Sequence, residues 1–364
     1  MSGISLNYEG CLTGSAGGKG LDSGQMDILA QKVTPLIHKV NRARNDGLTP
    51  YRDMPYNQLR YDRAVAWAEK IRGGYDYVIF IGSGNWSRGI NMLTESLSSS
   101  KALDGNDLEC KCPRMLVLEG YFHDQISAVI NRLGEKITRA FFVIAADSRK
   151  NEYNESDLKC AFEQLRQVPD LLAVTDSESS LPAKLAARGG IETLFVPAGF
   201  QGELPLLSEA GLLCAGAAGI DTEKMLSGAR AMDSQVSRED FYKNPAAVNA
   251  ALNWYYADQG MKVFQAYTDK EHLGSLSAWY SLTCCGALQC FPGINAEELK
   301  TYIYSKPETD EAEKNVIRIN LDKIDAYSLG EFVYFTEVTA LIFERLAAGG
   351  EEDDDEQYKK WLSG

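Results

Sequence analysis

The sequence predicts an α/β protein of two units, each a parallel sheet held between helices in three layers. Three observations carry this. Apolar runs of five or six residues alternate with longer segments whose apolar residues recur at three- and four-residue steps, the pattern of strand, crossover helix and strand. Those runs are apolar throughout, as expected of strands buried on both faces. The chain has 364 residues, which is long for one domain.

In chain order, strands are expected at 77–82 (YVIFIG), 115–120 (MLVLEG), 141–146 (FFVIAA), 171–175 (LLAVT) and 193–197 (TLFVP). The segments between them, WSRGINMLTESLSS, DQISAVINRLGEKI, ESDLKCAFEQLRQV and LPAKLAARGG, are long enough for crossover helices. After Phe200 helical signals dominate, and strand candidates return at 262–268, 301–305 and 315–321. The last long helix is read as opening on an S-x-x-E capping box from Ser328 to Glu331 and stopping at Gly349-Gly350. The Gly- and Ser-rich stretch from Gly10 to Gly24 reads as a flexible or draped arm. The expected organisation is an arm at 1–26, a first domain at 27–188, a second at 189–348 and an acidic segment at 349–364.

Lys plus Arg number 37 against 51 Asp plus Glu, for a net charge of -14, so no global field favours nucleic acid or anionic lipid. Residues 273–296 carry no charge, but Gly, Ser, Thr, Gln and Pro dilute them, and they read as a helix buried in protein rather than a membrane span. Eight cysteines at this chain length read as cytosolic thiols, and with three histidines there is no structural zinc spacing; no metal or cofactor is expected.

Gly82-Ser83-Gly84-Asn85 lies where a strand ends and a helix begins, where exposed backbone N–H groups can hold an anion. It lacks the third glycine of a dinucleotide fingerprint, and a tight turn without ligand explains it equally well. Asp147-Ser148-Arg149-Lys150-Asn151 follows the third strand, and Ser148, Arg149 and Lys150 offer a hydroxyl and two cations to a phosphate; a solvated polar loop is the other reading. His38, His123 and His272 have no triad or metal-ligand neighbours and read as structural or exposed.

Five stretches, in order, resemble the glucose-6-phosphate isomerase family, which is built from two sugar-isomerase (SIS) domains. They are Asp53-Met54-Pro55 with YDRAVAWAEKI and VIFIGSG, then AVTDSESSLPAKLAARGGIETLFVP, GLLCAGAAGIDTEKMLSGA, YTDKEHLGSLSAWYSL and IDAYSLGEFVYFTEVTALIFERLA. The resemblance implies two SIS-type, flavodoxin-like αβα sandwiches. It also implies isomerisation of glucose 6-phosphate and fructose 6-phosphate in carbohydrate metabolism, and a cytoplasmic homodimer whose partner is a phosphorylated sugar or other small anionic metabolite.

Carried over residue by residue, the resemblance also exposes departures. The family's Gly-Gly-Ser turn corresponds to Gly84-Asn85-Trp86, and its hydroxyl-rich phosphate loop to Ala145–Asn151, where Ser148 is the retained hydroxyl. The Gly-Gly-Arg motif falls on Gln201-Gly202-Glu203, replacing the arginine that stabilises the enediolate. The proton-transferring glutamate falls at or beside Gly286, within CCGALQ, where no carboxylate lies nearby, and the histidine-bearing segment is missing between Pro292 and Asn315. Lys359 stands where the ring-opening lysine is expected. Glu203 and Glu271 are candidate replacement bases, and His272 is a candidate sugar contact. Losing both base and oxyanion cation costs powers of ten in rate unless other groups take over, so a non-catalytic sugar-phosphate-binding protein is the alternative.

Overall fold

The computed structural model describes residues 3–13, 20–103, 112–148, 153–199, 204–268, 273–285, 297–304 and 313–349. Strand β1 (Ile4–Asn7) is followed by helices α1 (Ser23–Asn45) and α2 (Gln58–Gly74). Then come β2 (Tyr77–Gly82), α3 (Gly84–Leu103), β3 (Arg114–Glu119), α4 (His123–Leu133), β4 (Ala140–Ala145), α5 (Glu155–Leu165), β5 (Leu171–Thr175), α6 (Leu181–Gly189) and β6 (Glu192–Phe195). The chain continues through α7 (Glu209–Ala217), α8 (Thr222–Val236), α9 (Pro245–Asp258), β7 (Lys262–Tyr267), α10 (Gly274–Cys285), β8 (Glu298–Tyr304), β9 (Val316–Leu321) and α11 (Ala326–Ala347). Each strand expected from sequence is present, with ends shifted by a few residues. The chain divides into a central unit, residues 56–222, and a terminal unit that joins 1–55 to 223–364.

The central unit is built on a five-stranded parallel sheet of order β3-β2-β4-β5-β6. Every residue of β4 is buried, because helices cover both faces. On one face Phe142 and Ile144 join Ile79, Ile81, Ile126, Leu158 and Phe162 from β2, α4 and α5. On the other, Phe141 meets the rings of Trp67 and Tyr75 at 5.7 and 5.2 Å. Right-handed crossovers explain the split, since the connection after β2 runs one way along the sheet and those after β3 run the other.

The terminal unit has a four-stranded sheet of order β1-β9-β8-β7, in which β7, β8 and β9 are parallel and β1 is antiparallel at the edge. The N-terminal segment is therefore partly ordered as a strand, paired from Ile4↔Leu321 to Asn7↔Arg318. Cys11 is buried beyond it and its carbonyl accepts from the Tyr256 hydroxyl at 2.9 Å. In β7 the register shifts between Lys262 and Gln265, and Phe264 sits at φ 56° with its N–H donated to Asn253 Oδ1 at 3.1 Å. That side-chain acceptor replaces a ladder partner lost at the bulge.

Two sequence expectations are corrected here. The N-cap of α11 is Asp325, which accepts from the Ser328 N–H at 3.0 Å, and Glu331 instead accepts the Gly3 N–H at 2.9 Å. An Asx acceptor three residues earlier outcompetes the serine, which itself donates to Asp325. Among the cysteines, Cys112 is disulfide-bonded, whereas Cys11, Cys160, Cys214 and Cys284 are free thiols. No described helix is long and apolar enough to cross a membrane.

Candidate functional site

Strands β2 and β4 are neighbours, and the chain leaves them for opposite sides of the sheet, so their carboxyl ends form the topological switch point of the central unit. Gly82 pairs with Ala145 there. This brings Gly82-Ser83-Gly84 beside Ala146-Asp147-Ser148, two of the segments singled out in the sequence.

Local chemistry explains the first segment. A Cβ on Gly82 would stand 3.0 Å from the Phe80 ring and 3.4 Å from the Ala145 oxygen, so a larger residue needs these neighbours to yield by a few tenths of an ångström. Gly84 adopts φ 44°, a conformation L side chains rarely take, and open space lies where its Cβ would project. The Ser83 carbonyl accepts from the Trp86 N–H at 3.0 Å and starts α3. Trp86 is buried, and its indole nitrogen has no acceptor among the described residues.

The second segment is linked to the end of β5. Ser148 donates to Asp176 Oδ2 at 2.9 Å, and Thr175 approaches Asp176 Oδ1 at 3.4 Å and Ser180 Oγ at 3.1 Å. The Tyr153 hydroxyl donates to the Asp147 carbonyl at 3.2 Å. Burial, helped by the charges of Asp147, Glu155 and Asp176, pushes Tyr153 up to about 12. Tyr121, after β3, donates to the Ala145 carbonyl at 2.5 Å; burial drives its pKa far up, with Asp147 adding and hydrogen bonds from Ser83 opposing. Both phenols stay protonated near neutrality and act as donors.

The arrangement gathers hydroxyls at four strand ends, those of β2, β3, β4 and β5, with the carboxylates of Asp147 and Asp176, a set suited to a polyhydroxylated ligand. Arg88 on α3 contributes a cation already paired with Glu119 at 2.8 Å. Of the residues expected from sequence, Gly82, Ser83, Gly84 and Ser148 converge, and Asn85 lies in the first turn of α3. Arg149, Lys150, Gln201, Gly202, Glu203, His272 and Lys359 lie outside the described residues. His38 and His123 are exposed, against Glu239 and Asp124 at 3.3 Å each.

Sequence reasoning missed Tyr121, Tyr153, Asp176 and Arg88. The strand-end rule, applied after every strand rather than after two, would have found Tyr121 and Asp176. It also missed Glu209 on α7, whose fully buried carboxylate accepts from Arg60 at 2.9 Å on both oxygens, with Arg63 at 3.9 Å. Arg60 also donates to the Phe195 carbonyl at 3.3 Å, so this pair anchors α2 to α7 and to the end of β6.

No family model matches the chain. The chain is 23% identical over 270 residues to a glucose-6-phosphate isomerase of Carboxydothermus hydrogenoformans, a match spanning 72% of this chain and 57% of that protein. It is 27% identical over 242 residues to one of Staphylococcus epidermidis, covering 63% of this chain and 52% of the relative. A protein of Haloarcula marismortui described as a probable glucose-6-phosphate isomerase is 21% identical, with 93% and 88% covered. The matches to the two bacterial enzymes thus span little more than half of their length. Among solved structures, a glucose-6-phosphate isomerase of Chlamydia trachomatis superposes with TM-score 0.70 at 11% identity over all of this chain and 88% of the other. A hypothetical protein of Thermus thermophilus gives 0.68 at 15% identity, with 94% and 96% covered. The chain resembles glucose-6-phosphate isomerases in sequence and shares their fold.

Proposed function

We propose that this chain is a divergent, glucose-6-phosphate isomerase-like protein that binds a phosphorylated hexose at the β2/β4 switch point of its central unit. The observation that carries the proposal is the Gly82↔Ala145 pairing, which sets the Gly82-Ser83-Gly84 turn beside Ser148 in a chain resembling these isomerases. Small residues at strand carboxyl ends leave room for a ligand, and the neighbouring hydroxyls can donate to phosphate or sugar oxygens. Arg149 and Lys150 follow Ser148 directly and supply positive charge for the phosphate. Gln201, Gly202 and His272 complete the proposed sugar contacts, and the protein is expected to work in the cytoplasm as a homodimer.

Isomerisation requires a base that reaches the C1 and C2 protons and a group that stabilises the enediolate oxygen. Glu203 is the proposed base and Lys359 the proposed aid to ring opening. A second reading, binding without turnover, is favoured by one specific observation: Glu203 and Gly286 stand where the resemblance places the family's arginine and glutamate. A coupled assay of fructose 6-phosphate conversion, run beside calorimetric titration of the same ligand, separates the readings. Turnover lost in Glu203→Gln supports the isomerase. Saturable binding with no turnover supports the binding protein, and absence of both overturns the sugar-phosphate assignment.

A further inference from the structure

The carboxyl ends of β4, β5 and β6 stand side by side, paired as Ala145↔Val174 and Thr175↔Phe195, and the Val196 N–H donates to the Thr175 carbonyl at 2.9 Å. Two strand spacings of about 4.8 Å put the end of β6 roughly 10 Å from the end of β4. A pair of arginines marks that far end. Arg60, in the first turn of α2, donates through Nη1 to the Phe195 carbonyl at 3.3 Å and to both oxygens of Glu209 at 2.9 Å. Arg63, one turn later on the same helix face, has its Nη1 3.9 Å from the same carboxylate. Glu209 is fully buried, whereas Arg60 and Arg63 keep 32% and 53% of their side chains exposed.

Two cations therefore share one carboxylate. Among the described residues neither guanidinium has another carboxylate within ion-pair distance, and Arg60 Nε and Nη2 and the whole of Arg63 make no hydrogen bond. One arginine would complete an architectural pair, and a second beside it adds like-charge repulsion unless an anion compensates it. Between this cluster and the turn after β2 stands Asp176, whose carboxylate accepts from Ser148 at 2.9 Å. Donors at both ends of the row with an acceptor between them match a chain of sugar hydroxyls that is anionic at each end.

We infer that Arg60 and Arg63 hold a second anionic group, phosphate or carboxylate, on the hexose phosphate assigned above to the β2/β4 turn. The inference rests on that assignment for the place of the first phosphate, and it narrows the ligand to a sugar charged at both ends. The planar fork of arginine suits either group, since both accept two parallel N–H bonds. Glu209 is a positioning residue: it fixes Arg60 through a single nitrogen and leaves the rest of the guanidinium open.

The test compares fructose 6-phosphate with fructose 1,6-bisphosphate by calorimetric titration of the full chain. The bisphosphate is expected to bind about tenfold more tightly, the return from one charge-assisted hydrogen bond. Arg63→Gln removes the surplus charge without breaking a hydrogen bond of the fold; it is expected to abolish most of that preference and to leave the affinity for fructose 6-phosphate within about twofold. Arg60→Lys keeps a charge against Glu209 but loses the fork, and the preference should fall again. Equal affinity for the two ligands overturns the inference. So does a preference that both variants retain, which would make the cluster purely architectural. The two readings fail separately. Fructose 6-phosphate bound without preference for the bisphosphate sinks the second anion site and leaves the sugar-phosphate reading. Bisphosphate bound in an Arg63-dependent way, with no binding of fructose 6-phosphate, keeps the site and overturns the hexose monophosphate as ligand, whereas binding of neither overturns both.

Discussion

The two sheets of this molecule treat their polar residues differently. In the central unit, β2 and β4 are buried almost throughout, and hydroxyls and carboxylates gather beyond the strand ends at Ser83, Asp147, Ser148 and Asp176. In the terminal unit, β8 alternates buried and half-buried positions, with Lys300, Tyr302 and Tyr304 sharing one face and the last two rings stacked at 5.6 Å. Its strongest polar cluster lies among helices. Arg52 is fully buried against Asp233 at 3.5 Å, Arg44 holds the same carboxylate at 2.6 Å, and Tyr334 donates to it at 2.7 Å. Polar groups at strand ends lie where ligands of such sheets gather, whereas those sealed between helices hold architecture.

That contrast breaks first at Asp233. Asp233→Ala leaves Arg52 buried without its counter-charge and should destabilise the terminal unit by about 3–5 kcal/mol, read from the urea midpoint. A change near that of an exposed pair would mean that Arg52 is hydrated and the cluster is not architectural.

Close helix packing gives the next effect. Gly330 on α11 leaves no room for a Cβ beside the Met225 carbonyl of α8, and Gly228 on α8 leaves none beside the Tyr327 carbonyl. Gly330→Ala should therefore cost about 3 kcal/mol, because backbone cannot yield as a side-chain tip would. A thermal melt matching the unsubstituted protein would show that the helices can part.

Buried thiols sharpen the comparison at alkaline pH: among the described residues the terminal unit buries Cys11 and Cys284 and the central unit Cys214. Burial pushes Cys11 and Cys214 up to about 12 from an ordinary value of 9.0. Above pH 9 the unfolded chain releases these protons while the folded chain keeps them, so stability falls as pH rises from 9 towards 12 and is unaffected by them below 9. The expected loss is roughly 1 kcal/mol per thiol by pH 10. Alkylation at pH 8 followed by mass spectrometry should leave both unmodified in the native protein, and rapid labelling of either would disprove its burial. The smallest effect belongs to the exposed pair Asp76–Arg139, at 2.7 Å. Its hydrogen bonds lower the Asp76 pKa, yet Asp76→Asn should leave the melting temperature unchanged within error, because water screens the pair.

Much of the fold was readable because parallel strands buried on both faces write themselves as unbroken apolar runs. YVIFIG, FFVIAA and LLAVT each became a strand within a residue of its expected position. Ile4–Asn7 escaped notice, since a four-residue edge strand followed by glycines carries no such run. At the site, Gly82 to Gly84 and Ser148 were readable from their place after a strand. Tyr121 and Asp176 also follow strands and the same rule would have found them, but their bonds to the Ala145 carbonyl and to Ser148 depend on which strands stand side by side.

The sequence by itself determined the α/β alternation, the strand-end turn at Gly82-Ser83-Gly84 and the resemblance to sugar-phosphate isomerases, since all three are local patterns of apolarity and residue size. Only the tertiary structure decided that residues 1–55 join 223–364, that Asp233 neutralises Arg52, and that the Tyr121 hydroxyl donates to the Ala145 carbonyl. Each of these pairs groups far apart in the chain, and the energy of a buried charge or donor depends on what the fold brings against it rather than on its neighbours in sequence.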